Sequence, residues 1–256
     1  MAILQQPRTL DMMGPFNAIC PLVSFFIAFL PSFLYASSRG PRKVAIFLGT
    51  WYAFVFWLAR FPLLADESTF EAPADLAGFA LFASTPFVGI LMFYFGLYRV
   101  DPKVQKFMHS WPASWTCAQQ LFRLGGACFL FLYGKKASGY DSYFNLQTGT
   151  LDCFMGLTAV PMAIYVHKSN GNIEKVKSLL LLWHGIGLYD LAFAFTAAAA
   201  HYFGFYRFKH SLGFACFPPV TLICYYQVAW AIGIHTLYLT KIDTILEAQN
   251  LKKKMA

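Results

Sequence analysis

Residues 176–203 read VKSLLLLWHGIGLYDLAFAFTAAAAHYF, a long apolar run with one acid, Asp190, near its middle. A hydrocarbon core of about 30 Å needs roughly 20 mostly apolar residues at a rise of 1.5 Å each. This stretch meets that requirement, and reading outward from it finds six more. They lie near Phe16–Ala36, Val44–Phe61, Leu76–Leu97, Trp111–Gly134, Gln147–His167 and Gly213–Thr240. The connections are short, so the sequence predicts a single all-α domain over residues 1–256, a polytopic integral membrane bundle of about seven transmembrane helices. Composition agrees: 58% of residues are hydrophobic, 19% aromatic and only 12% charged, with a mean hydropathy of +0.50. A soluble domain carries about 25% charged residues. That difference excludes a disordered chain, a nucleic-acid-binding domain and a disulfide scaffold, and it makes the lipid bilayer the expected partner.

Lysine and arginine in short loops set orientation, because the cytoplasmic side keeps the positive excess. One side collects 13 cations: Arg39, Arg42, Lys43, Arg99, Lys103, Lys106, Lys168, Lys175, Lys177, Lys241, Lys252, Lys253 and Lys254. The other has 6, Arg8, Arg60, Lys135, Lys136, Arg207 and Lys209, together with the acids Asp66, Glu67, Glu71 and Asp75. The N-terminus is therefore expected outside and the C-terminus in the cytoplasm. Arg8 and Asp11 precede a first apolar run too long for a cleaved signal, so that run reads as a retained span. Trp111 and Trp115 are expected at the cytoplasmic interface, where aromatic rings are favoured. Pro218-Pro219 predicts a kink early in the last span. All six cysteines fall in spans without a Cys-x-x-Cys pair, which suits packing better than zinc or disulfides. The run Ala197–Ala200 would admit a close helix neighbour.

Ionisable groups at membrane depth cost roughly 2.5–3.5 kcal/mol each, so they turn inward and find partners. Arg123 lies near the centre of the fourth span, with Gln120 and Gln119 at i−3 and i−4 on its face. Asp152 in the fifth span and Asp190 in the sixth are its natural partners. One arginine facing two aspartates leaves one formal negative charge over, and such a pair can bind a proton or a metal cation near neutrality. An ion-paired clamp that only fixes packing accounts for the same residues. His184 and His235 fall in one half of the bundle, where they could serve as a proton relay or as two haem ligands. The sequence names no cofactor. The last span has no lysine for a retinal Schiff base, and the chain lacks His-x-x-His, Gly-x-Ser-x-Gly, His-Glu-x-x-His and a phosphate-binding loop. A conventional enzyme is not expected.

Four patches in the second half carry a resemblance: Gln120-x-x-Arg123-x-x-Gly126; Gly149-x-x-Asp152-x-x-x-Gly156-x-x-Ala159; Trp183-x-x-x-Gly187-x-x-Asp190-Leu191; and Pro218 or Pro219 followed by His235. On these, residues from about Trp115 to Thr240 resemble a family of small multi-pass bacterial membrane proteins of uncharacterised activity. His184 stands where that family commonly has asparagine. The resemblance implies a shared core at Arg123, Asp152 and Asp190 and no particular reaction. Helical periodicity places Trp183, Gly187, Asp190 and Ala194 in one stripe, and Gly149, Asp152 and Gly156 in another, so both aspartates are expected on packed faces.

The chain ends Lys253-Lys254-Met255-Ala256, which resembles a dilysine retrieval signal of the endoplasmic reticulum; a basic tail drawn to anionic headgroups reads the same way. These features support binding or transport of a small solute or proton at the Arg/Asp centre. An accessory subunit of a larger membrane complex, packed through its 28 Phe and 14 Tyr, is the alternative from a different class, and a haem-bearing electron carrier is a third.

Overall fold

The computed structural model describes residues 9–58, 76–134, 143–169, 173–203, 205 and 222–255, and no strand occurs among them. Its helices are α1 (Thr9–Arg39), α2 (Arg42–Leu58), α3 (Leu76–Phe93), α4 (Pro102–His109), α5 (Ala113–Gln119), α6 (Ala127–Gly134), α7 (Tyr143–Lys168), α8 (Ile173–Tyr202) and α9 (Val228–Met255). Three irregular stretches extend them: a π turn at Tyr94–Tyr98 after α3, a 3-10 segment at Gln120–Gly126 joining α5 to α6, and a π turn at Ile223–Gln227 leading into α9. Among the described residues, three stretches are long and apolar enough to cross a membrane: Ile19–Arg39, Tyr143–Lys168 and Lys175–Ala200.

The apolar runs fold as helices, with informative departures. The fourth run is not one α-helix, because the 3-10 segment tightens its middle. α9 does not stop at Thr240. It continues to Met255 across a break at Lys241, whose φ of −132° and ψ of 18° are non-helical, while Ile242, Ile245 and Leu246 beyond the break are buried. α4 was not legible as an apolar run because it is short and amphipathic. Asp101 caps it by accepting the Lys103 N–H at 2.7 Å, Pro102 follows the cap, and Val104, Phe107 and Met108 turn inward. Trp111 and Trp115 differ in burial. Trp111 is buried among the rings of Tyr35, Phe107 and Trp230, whereas Trp115 is half exposed. Pro218, Pro219, Cys216, the acidic stretch 66–75 and the six cations of the poorer side lie outside the described residues.

Large apolar side chains face outward, and several ionisable groups lie inside the apolar core. Leu34, Leu157 and Leu182 face outward at 62%, 67% and 62% exposure, while Arg123, Asp190, His184, His235 and Gln120 are buried. The 3-10 segment sits at the middle of the packing. α7 lies along it on one side and α1 on another, and α8 packs on both α7 and α9. That arrangement brings the fourth, fifth, sixth and seventh apolar runs to one place.

Candidate functional site

A 3-10 helix turns once per three residues, so side chains at i, i+3 and i+6 line up in one row. Gln120, Arg123 and Gly126 form such a row, all buried. At Gly126 the absent side chain is essential, because a Cβ there would run into the carboxymethyl group of Asp152 on α7. Gly149 and Gly156, one turn either side of Asp152, are similarly filled by Leu130 and Leu124. Three glycines thus let α7 approach the 3-10 segment closely enough for the ion pair to form.

Arg123 has all its partners within protein. Nε–H donates to Asp152 Oδ1 at 2.7 Å, and Nη2 donates to Asp190 Oδ2. Nη1 donates to the Gly187 carbonyl at 3.3 Å and faces His235 Nε2 at 3.2 Å. Both carboxylates thus converge on one guanidinium, and no donor among the described residues reaches Asp190 Oδ1. One guanidinium balances one ionised carboxylate, so a proton or another cation is needed to neutralise the second.

The histidines continue the same network. Guanidinium can only donate, so His235 Nε2 accepts and its ring proton sits on Nδ1. That proton points at His184 Nδ1, 2.8 Å away, which must then accept, leaving the His184 proton on Nε2. Nε2 is buried and has no partner among the described residues. His184 stacks on Tyr238 with ring centroids 4.3 Å apart, and the Tyr238 hydroxyl bonds Thr116 Oγ1 at 2.8 Å. Trp183 closes one side edge-on and anchors its indole N–H on Thr158 at 3.0 Å. Gly187 leaves the space that the His235 ring fills, since a Cβ there would lie 2.5 Å from it.

Arg123, Asp152, Asp190, His184 and His235 therefore meet in one cluster. Gln120 does not bond to it: both of its amide atoms are buried without a partner among the described residues. Gln119 turns away to donate to Ser32 at 2.7 Å. The sequence reading missed Tyr238, Thr116 and a second polar knot in which the one Ser24 hydroxyl proton is shared between the Phe122 carbonyl and Gln227 Oε1, the latter at 2.9 Å. Gln227 carried a usable signal, a buried amide inside an apolar run.

Among the described residues no three His, Cys, Asp or Glu side chains are arranged to hold a metal ion. Two haem ligands need both imidazoles aimed at one iron with a macrocycle between them. Here the two Nδ1 atoms bond each other and the remaining His235 nitrogen is held by Arg123, so the pair does not fit that group. Compared with known proteins, the chain matches no family model, no curated protein and no solved structure.

Proposed function

We propose that the protein is a seven-span membrane protein, N-terminus outside and C-terminus cytoplasmic, that binds or moves a proton or small solute through the Arg123 centre. The observation that carries this is the single guanidinium held between two buried carboxylates, Asp152 and Asp190. Asp190 Oδ1 at one end and His184 Nε2–H at the other are an acceptor and a donor without partners, the endpoints a relayed proton or a polar solute needs. The grouping of loops has independent support. Lys43 pairs with Asp101 and Lys177 with Asp243, which ties together loops that the charge rule assigns to one side. The outward-facing leucines and buried charges suit a lipid surround. The core shared with the bacterial family it resembles, and a retrieval role for the terminal dilysine in the endoplasmic reticulum, belong to the same proposal.

Purified protein in liposomes carrying an internal pH dye tests the reading, with Asp190→Asn beside the wild type. Wild-type protein is expected to dissipate an imposed proton or solute gradient and the variant to lose that ability. No flux under any gradient, together with ligand binding unaffected by the substitution, sinks it. The accessory-subunit reading then takes its place, and it requires a stoichiometric partner on native gels.

A further inference from the structure

A cavity of about 370 Å³ lies between α2, α3 with its π turn, α4 and α9, and none of its lining residues belongs to the Arg123 network. Its volume falls in the range of ligand sites, roughly 300–1,000 Å³, and its shape is informative. Along α9 the lining runs from Tyr226 to Lys241, roughly 22 Å at the helical rise. A slot that long and that small in volume is narrow. Its walls are aromatic and aliphatic, led by Trp51, Phe93 and Trp230. Only one end is charged. There the exposed Lys241 stands at the break in α9, and no carboxylate accompanies it in the lining. Asp243, two residues on, is engaged by Lys177, and Asp101 by Lys43.

We propose that this slot is a binding site for an anionic membrane lipid, with one hydrocarbon chain along α9 and the headgroup on Lys241. A compact solute would leave most of the length empty, and a neutral lipid would leave Lys241 without a counter-charge. Gly233 sits midway along the slot, and a Cβ built on it meets nothing within 4 Å. The chain needs that open space.

Gly233 also supplies the test, because a Cβ there meets nothing within 4 Å and Gly233→Leu carries a larger side chain into the slot. Delipidated protein is incubated with equal amounts of phosphatidylglycerol and phosphatidylcholine and examined by native mass spectrometry. Wild type is expected to retain one phosphatidylglycerol per chain, with a preference over phosphatidylcholine of roughly fivefold, the ratio one lysine near a membrane surface gives. Gly233→Leu, at unchanged melting temperature, is expected to retain neither, and Lys241→Gln to bind both lipids equally. Absence of retained lipid in the wild type, retention by Gly233→Leu, or an unaltered headgroup preference in Lys241→Gln overturns the proposal. So does a slot occupied instead by a second protein copy, seen as a lipid-free dimer. Lys241 is exposed, so its variant decides the matter even if Gly233→Leu does not fold.

Discussion

Arg123→Leu would leave two carboxylates in a buried site with no cation, and breaking a buried pair in this way costs about 3–5 kcal/mol. Double-mutant cycles with Asp190→Asn and with Asp152→Asn, read by thermal unfolding in detergent, are expected to show strong coupling in both. The Asp190 coupling should be the larger, because its side chain is 1% exposed against 12% for Asp152. Near-zero coupling in both cycles would mean that the guanidinium serves something other than the aspartates. Gln120→Leu should behave in the opposite sense. Each unsatisfied buried polar group costs about 1–3 kcal/mol, so the substitution is expected to raise the melting temperature. Gly187→Ala, by contrast, pushes a methyl into the His235 ring and should destabilise by about 1–3 kcal/mol, as overpacking does. These residues differ in how far the sequence revealed them. Arg123, Asp152 and Asp190 stand out because insertion cost singles out any charge in an apolar run. The bond between His184 and His235 was not readable, since it depends on which faces of α8 and α9 meet, and nothing in the spacing of either histidine records that. The Gly187 carbonyl was hidden too, because a backbone acceptor has no residue type.

At the level of elements, the spacing Gln120-x-x-Arg123-x-x-Gly126 already held a period of three. Read on an α-helix it drifts around the surface; read on a 3-10 helix it is a straight row, and that row is the one α7 covers. The choice between the two is made by tertiary packing, which is why the apolar run alone predicted an uninterrupted helix. α4 shows a second kind of limit. Its signals, Asp101 as cap and Pro102 after it, are local and clear, but they fall in a loop too short and too polar to register as a span. They also make α4 sensitive to acid. His109 bonds the Tyr98 hydroxyl at 2.8 Å. Burial, aided by the charge of Lys241, holds its pKa below the usual value of 6.5. A folded pKa below the unfolded one means that the contribution to stability is present above about pH 6.5 and is lost as pH falls through the folded value. The Asp101 carboxyl is also held low, by Lys43 and then by the Lys103 N–H, so its share disappears only in stronger acid. Protection factors of the α4 amides, exchange rates corrected for their intrinsic dependence on pH, should therefore fall between pH 7.5 and pH 5 in the wild type. In His109→Gln that change should be absent, and an equal change in both would remove His109 as the cause.

For the molecule as a whole, the two loop-tying ion pairs put their loops on one side, and the charge rule predicts which side that is. An epitope after Ala256 should be open to antibody only from the cytoplasmic side in sealed vesicles, while a glycosylation acceptor placed before Arg8 should be modified. The reverse pattern would invert every loop at once. Helical architecture was legible here because length and apolarity are properties of contiguous sequence. Helix ends were less so, as the continuation of α9 past Thr240 shows: buried Ile242, Ile245 and Leu246 give the tail a surface to pack against, and that surface belongs to other parts of the chain. The wide separation of the ion-pair partners bears on how such a protein is made. Arg123 precedes Asp152 by 29 residues and Asp190 by 67, so during synthesis the cation reaches the insertion machinery before either of its anions exists. On the membrane reading, the nascent fourth segment carries an uncompensated charge until two later ones arrive. A chain stalled or cut after Gly134 would present that charge to quality control, and it should be short-lived in cells whatever the finished protein does.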